Sequence, residues 1–160
     1  MPATDHFSLK NTANAPDQLM RWLGLGGLIP FVGLAALLWI VEIDLRPWLS
    51  IALTSYAALI ATFLGGVHWG IVANLSPNSS HDASQRRFHL IWGITPSLIA
   101  WLGLIVPAYA GLPLIAVLLL ACYFVDRNKY PPAGLAAWLP LRLQLTVIAV
   151  LSCFIGAGAI

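Results

Sequence analysis

The sequence predicts an all-α fold: a polytopic membrane bundle of five transmembrane helices. Three observations lead there. Apolar residues make up 59% of the 160-residue chain, against roughly 45–50% in soluble domains, and charged residues 9%, against about 25%. Six acids and eight bases cannot cover the surface of a soluble domain, whereas a lipid-facing surface needs no such cover. The apolar residues also fall into five runs separated by short polar or proline-rich stretches.

The first run spans residues 22–41, 20 residues without a charge, or about 30 Å as a helix, the thickness of the hydrocarbon core. Pro30 lies inside it behind Gly24, Gly26 and Gly27, which predicts a kink. The second run, residues 48–74, is 27 residues long and must tilt or project. A polar loop is expected over Leu75–Arg87. The third run covers residues 88–107, with Pro96 inside. The fourth, residues 112–125, is the shortest. A polar loop over Asp126–Pro140 leads to the fifth run, residues 141–160. Residues 22–160 thus form one five-helix transmembrane domain. Residues 1–21, polar and mixed in charge, read as a solvated and flexible cytoplasmic tail rather than a signal peptide or mitochondrial presequence.

Charge placement orients the bundle. With five spans, Lys10, Arg21, Arg86, Arg87, Arg127, Lys129 and Arg142 lie on one side and Arg46 alone on the other. The positive-inside rule puts the N-terminus in the cytoplasm and the C-terminus outside, as a multi-pass protein of the cell inner membrane. A four-span arrangement would scatter these bases, so the count supports the short fourth run. The net charge of +2 is too small to argue for nucleic acid. Cys122 and Cys153 differ in depth by roughly 12 Å at about 1.5 Å per residue, too far for a disulfide.

The polar groups fall on seams of small residues. Helical spacing aligns Thr54, Ala58, Ala61, Gly65 and His68 on the second helix. It aligns His89, Gly93, Pro96, Ala100 and Gly103 on the third, and Arg142, Thr146, Ala149, Cys153 and Gly156 on the fifth. Small seams let membrane helices approach closely, and Gly66 with Gly70 adds a GxxxG pair, so Gly65, Gly66 and Gly70 are expected at helix contacts. Ionisable side chains inside a bundle are costly and mark candidate functional sites. His68, His89, Asp126 and Arg142, with Arg127, Trp69 and Trp92 at similar height, therefore define a candidate ligand pocket open to the cytoplasm. The same groups could serve only to hold helices together by hydrogen bonds. A bis-histidine haem on His68 and His89 is a further reading, since imidazole is an ordinary haem ligand. A zinc site would have only these two histidines and Asp126 to draw on. No metal or cofactor is expected, and the chain has no H-E-x-x-H, G-x-S-x-G or P-loop pattern.

Four stretches in order, GLIPF in the first helix, FLGGVHWG in the second, TPSLIAW in the third and DRNKYPPAGLAAWLPLRLQLT leading into the fifth, resemble the domain of unknown function 3429 family, which includes the mitochondrial transmembrane protein 69. The resemblance runs from Arg21 to the end. It implies a small multi-span membrane protein, here a bacterial member, and brings no reaction, cofactor or catalytic residue. The leading functional expectation is a non-enzymatic accessory or assembly component of a larger membrane complex in the lipid bilayer. The alternatives are a small-molecule binder or transporter using the cytoplasmic pocket, and a haem- or metal-binding redox protein.

Overall fold

The computed structural model describes residues 17–73 and 80–160. The tail expected over residues 1–21 falls mostly outside them. Six α-helices and two short 3-10 turns make up the described chain. They are α1 (Gln18–Gly26), α2 (Ile29–Ile40), α3 (Arg46–Ala73), α4 (Ser80–Ile105), α5 (Ala108–Lys129) and α6 (Leu139–Ala157), with the turns at Ile43–Leu45 and Ala136–Trp138. Five units are long and apolar enough to cross a membrane: Gln18–Ile40, Ile43–Ala73, Ala83–Ile105, Ala108–Lys129 and Ala136–Ala157.

The first span is a broken helix. Asp17 caps α1 by accepting the Met20 amide at 2.7 Å. The chain then breaks at Gly27–Leu28, ahead of the kink expected at Pro30. Proline lacks an N–H and is tolerated in a first helical turn, so α2 restarts around Pro30 and the break falls before it. Tyr56 on α3 donates its hydroxyl to the Gly27 carbonyl at 2.7 Å, satisfying an acceptor freed at the break.

Three expected boundaries are corrected. Ser80–Arg87, expected as loop, is helical. Ala83, Gln85, Arg86 and Arg87 are good helix formers, so α4 continues past the end of its apolar run. The fourth span is a full 22-residue helix rather than residues 112–125. Pro107 precedes it and Pro113 lies inside it, an interior proline of the kind that membrane helices tolerate. At its other end Asp126–Lys129 stay helical, with Arg127 and Lys129 in the last turn complementing the helix dipole. The fifth span ends at Ala157. In the connection to α6, Gly134 takes φ 76°, a left-handed conformation that glycine adopts without strain.

Helix α3 is the hub and packs against α2, α4, α5 and α6. Its partners come close because the seams carry almost no side chain. Gly65 faces the Gly93 carbonyl of α4, and Gly111 of α5 faces the Gly103 carbonyl of α4. Phe31, Leu38, Leu53, Leu112, Ile115 and Leu119 fill the centre. Large apolar side chains such as Trp39, Ile51, Phe63, Trp101, Val117 and Leu151 point outward, while Ser50, Thr54, Thr146 and Ser152 are buried. This distribution suits a lipid solvent, where burying apolar side chains between helices brings no hydrophobic gain. Several buried hydroxyls bond their own helix: Thr54 donates to the Ser50 carbonyl at 2.6 Å and Ser152 to Ile148 at 2.8 Å. Cys122 and Cys153 are both free and buried.

Candidate functional site

All three small-residue seams face inward. Thr54, Ala58, Ala61, Gly65 and His68 are buried on α3. His89, Gly93, Pro96, Ala100 and Gly103 are buried on α4, and Arg142, Thr146, Ala149, Cys153 and Gly156 on α6. Gly66 and Gly70, expected at helix contacts, lie off the buried seam. Both are exposed on the opposite face of α3, with open space where a Cβ would stand. The helix contact is made by Gly65, one residue away and about 100° around the helix.

The seams bring four ionisable side chains from four helices into one row. His89 of α4 and His68 of α3 meet Nδ1 to Nδ1 at 2.7 Å. His68 Nε2 lies 3.1 Å from Asp126 Oδ1 of α5. On its other oxygen, Asp126 accepts from Arg142 of α6, through Nε at 3.0 Å and through Nη2. The relative exposures are 2%, 0%, 1% and 8% for His89, His68, Asp126 and Arg142. A buried charge is tolerable only when paired and hydrogen-bonded, and the guanidinium, which stays charged, gives Asp126 that partner.

The geometry fixes the hydrogens of the row. Asp126 is the acceptor for Arg142, so the His68 nitrogen facing its other oxygen donates, as Nε2–H. When His68 is neutral its Nδ1 then holds a lone pair, and His89 must donate Nδ1–H to it.

Tyr130, just beyond the end of α5, closes the row from the side. Its ring lies 6.4 Å from His68, centroid to centroid. Burial pushes its phenol up to about 12, with the neighbouring Asp126 carboxylate as the second cause.

The other candidates stand apart from this row. Arg127 is exposed on the far side of α5. Trp69 is half exposed; its indole N–H donates to the Leu90 carbonyl at 3.2 Å and its ring covers Gly93. Trp92 stacks on Phe88 at 6.3 Å and 8°, and Phe88 in turn lies 4.3 Å under the Lys129 ammonium. These aromatic groups fasten α4 to α3 and α5.

A bis-histidine haem does not fit this arrangement. Two nitrogens on opposite sides of one metal lie about 4 Å apart, given metal–imidazole bonds of about 2.0 Å. The two Nδ1 atoms face each other at 2.7 Å, and rings with centroids 5.0 Å apart leave no room for a macrocycle. Among the described residues no group of three or more His, Cys, Asp or Glu side chains is placed to hold a metal ion.

Beside the row lies a cavity of about 540 Å³ between α1, α2, α3, α6 and the connection before α6. Its wall is apolar, with Leu23, Phe63, Leu135 and Trp138 among its residues. Arg142, Tyr130 and Thr146 give it one polar end. Leu23 and Phe63 are also strongly exposed, so the cavity reaches the lipid-facing surface. Its apolar wall is the part of the site that the sequence does not reveal. The available signal was the Gly-rich break before Pro30, which leaves α1 without a buried residue and the space beside it unfilled.

The chain matches the family described as "Protein of unknown function (DUF3429)" over residues 16–158. It is 34% identical over 150 residues to "Transmembrane protein 69" of Xenopus tropicalis, covering 91% of this chain. The chain spans 56% of that relative's length. No solved structure matches it. With its five apolar spans, this chain is a multi-pass membrane protein and belongs to the DUF3429 family.

Proposed function

We propose that this chain is a membrane-embedded binding protein for a lipophilic small molecule that carries one polar end. The observation behind this reading is that Arg142 lines the apolar cavity and also holds Asp126 in the buried row. Arg142 carries five N–H donors, only part of which go to the carboxylate, so the cavity's polar end offers a hydrogen bond to an acceptor oxygen. The apolar wall takes the rest of the ligand, as in most small-molecule sites. Entry runs sideways from the bilayer, past Leu23 and Phe63.

The site lies toward the cytoplasmic side of a cell inner membrane, a placement supported by the charge asymmetry of the loops. A cysteine placed at the exposed Arg127 then reacts with a membrane-impermeant maleimide only from the cytoplasmic side. Labelling from the outer side alone would reverse the orientation.

The binding itself is tested by purifying the full chain in mild detergent and identifying what comes with it by native mass spectrometry. The expected result is a lipophilic compound near one per chain, reduced at least tenfold in Ala149→Phe, which fills the cavity from α6. A folded Ala149→Phe that retains the compound, or a wild-type chain that neither carries nor takes up a lipophilic probe, would overturn the reading. A protein partner in place of a compound would favour the accessory or assembly role.

A further inference from the structure

We infer that the His89–His68 pair, anchored by Asp126 and Arg142, is a proton relay, which takes up one proton at its His89 end and passes the charge inward to His68. Three features of the geometry carry the inference. The two histidines meet through like nitrogens at 2.7 Å, a contact that holds one hydrogen and has no room for two. His68 is anchored on its other nitrogen by a carboxylate at 3.1 Å, which favours a positive charge on that ring over one on His89. The carboxylate is itself fixed by the guanidinium that lines the cavity.

The proton balance is simple. In the neutral row His68 carries Nε2–H and His89 carries Nδ1–H. A proton arriving at His89 Nε2 makes His89 an imidazolium. The hydrogen between the rings then crosses from His89 Nδ1 to His68 Nδ1. His89 is left neutral as its Nε2–H form, and His68 becomes an imidazolium hydrogen-bonded to Asp126. One proton has been bound and one positive charge has moved one ring closer to Arg142. Only N–H bonds are broken and made. Proton return reverses both steps.

The surroundings of the pair supply the direction. From α4 comes His89, with Arg86 and Arg87 exposed nearby on the same helix. From α5 come Asp126, the buried Cys122 and, beyond the Phe88 ring, Lys129. Tyr130 follows α5, and Arg142 comes from α6. The cationic groups at the His89 end, Lys129 foremost, repel a charge there. The carboxylate beside His68 attracts it. Phe88 stands edge-on to His89 at 5.7 Å. All four members lie toward one end of the bundle, so the relay runs between His89 and His68 at that end and does not cross the bilayer. This inference stands on the row alone and holds whether or not the cavity has the ligand proposed above.

The test is nitrogen-15 NMR of the full chain, labelled at histidine and held in lipid nanodiscs, titrated from about pH 8 to about pH 5, the range in which imidazole chemistry operates. In the wild type His68 and His89 are expected to respond together, with a single midpoint and one proton gained by the pair. His68 Nδ1 passes from the unprotonated to the protonated range. In Asp126→Asn the charge is expected to stay on His89. In His89→Gln the His68 response is expected to be lost. Two independent midpoints in the wild type, histidines that both stay neutral down to pH 5, or an unchanged joint response in Asp126→Asn would each overturn the relay. The wild-type measurement decides the matter even where a variant fails to fold.

Discussion

His68 and His89 share a single hydrogen between their Nδ1 atoms across 2.7 Å, and the two residues are unequal members of that contact. His68 is bonded on both ring nitrogens, to His89 and to Asp126, whereas His89 meets the row through one. Replacing His68 by Phe therefore strips two buried partners and replacing His89 strips one. Each unsatisfied buried polar group costs about 1–3 kcal/mol. His68→Phe is expected to lower the thermal midpoint in detergent by about twice as much as His89→Phe. Equal losses would show that packing rather than hydrogen bonding dominates here.

The Asp126–Arg142 pair makes a sharper prediction, because its parts are worth less together than apart. Asp126→Leu leaves a buried guanidinium without its carboxylate and is expected to cost about 3–5 kcal/mol. Removing both charges, as Asp126→Leu with Arg142→Met, takes away the desolvation penalty along with the attraction. That double variant still leaves His68 Nε2 without its acceptor and is expected to lie about 1–3 kcal/mol below the wild type. It should fold and lose both the joint histidine response and the guanidinium at the cavity's polar end. A double variant as unstable as the single one would mean that the row holds the bundle together.

The spacing of small residues made the inner faces legible. A lipid-exposed bundle has few ways to bury polar side chains, and the seams through His68, His89 and Arg142 follow directly from helical geometry. Asp126 was legible from its position at the end of the fourth apolar run. The helix ends were harder to place, because hydropathy marks where the bilayer ends and not where the backbone leaves its hydrogen-bonded helix. Ser80–Arg87 and Asp126–Lys129 are polar and helical for that reason. Gly66 and Gly70 match a packing motif as well as Gly65 does, and sequence alone could not separate faces one residue apart. The cavity was not legible beyond the hint of the Gly-rich break before Pro30, since it is the space left where α1 and α2 meet α3 and α6.

Gly65 and Gly66 turn that ambiguity into a measurement. A Cβ on Gly65 would run into the backbone carbonyl of Gly93, which has no flexible end to move aside. Gly65→Ala is expected to cost about 1–3 kcal/mol through forced separation of α3 and α4. A Cβ on Gly66 meets open space, and alanine is the better helix former by up to about 1 kcal/mol. Gly66→Ala is therefore expected to leave the chain as stable as before or slightly more so. Thermal midpoints of the two variants in the same detergent make the comparison. A loss at Gly66 equal to that at Gly65 would place a partner on the outer face of α3.

Tyr130 contributes to the alkaline limit of the bundle. Its phenol is raised to about 12 in the folded chain, first by burial and then by Asp126, against about 10 when unfolded. A group whose folded value is raised contributes stability that is fully present below the unfolded value and is lost as pH climbs through the folded one. Between about pH 10 and pH 12 the folded chain holds a proton that the unfolded chain has released, so stability falls with rising pH. The linked loss is roughly 2–3 kcal/mol. Tyr130→Phe lacks the titrating group and keeps the ring, so its midpoint is expected to fall less than the wild type's over that window. Below about pH 9 the difference between the two chains should be constant with pH. Parallel losses in both chains up to pH 12 would assign the alkaline limit to other groups.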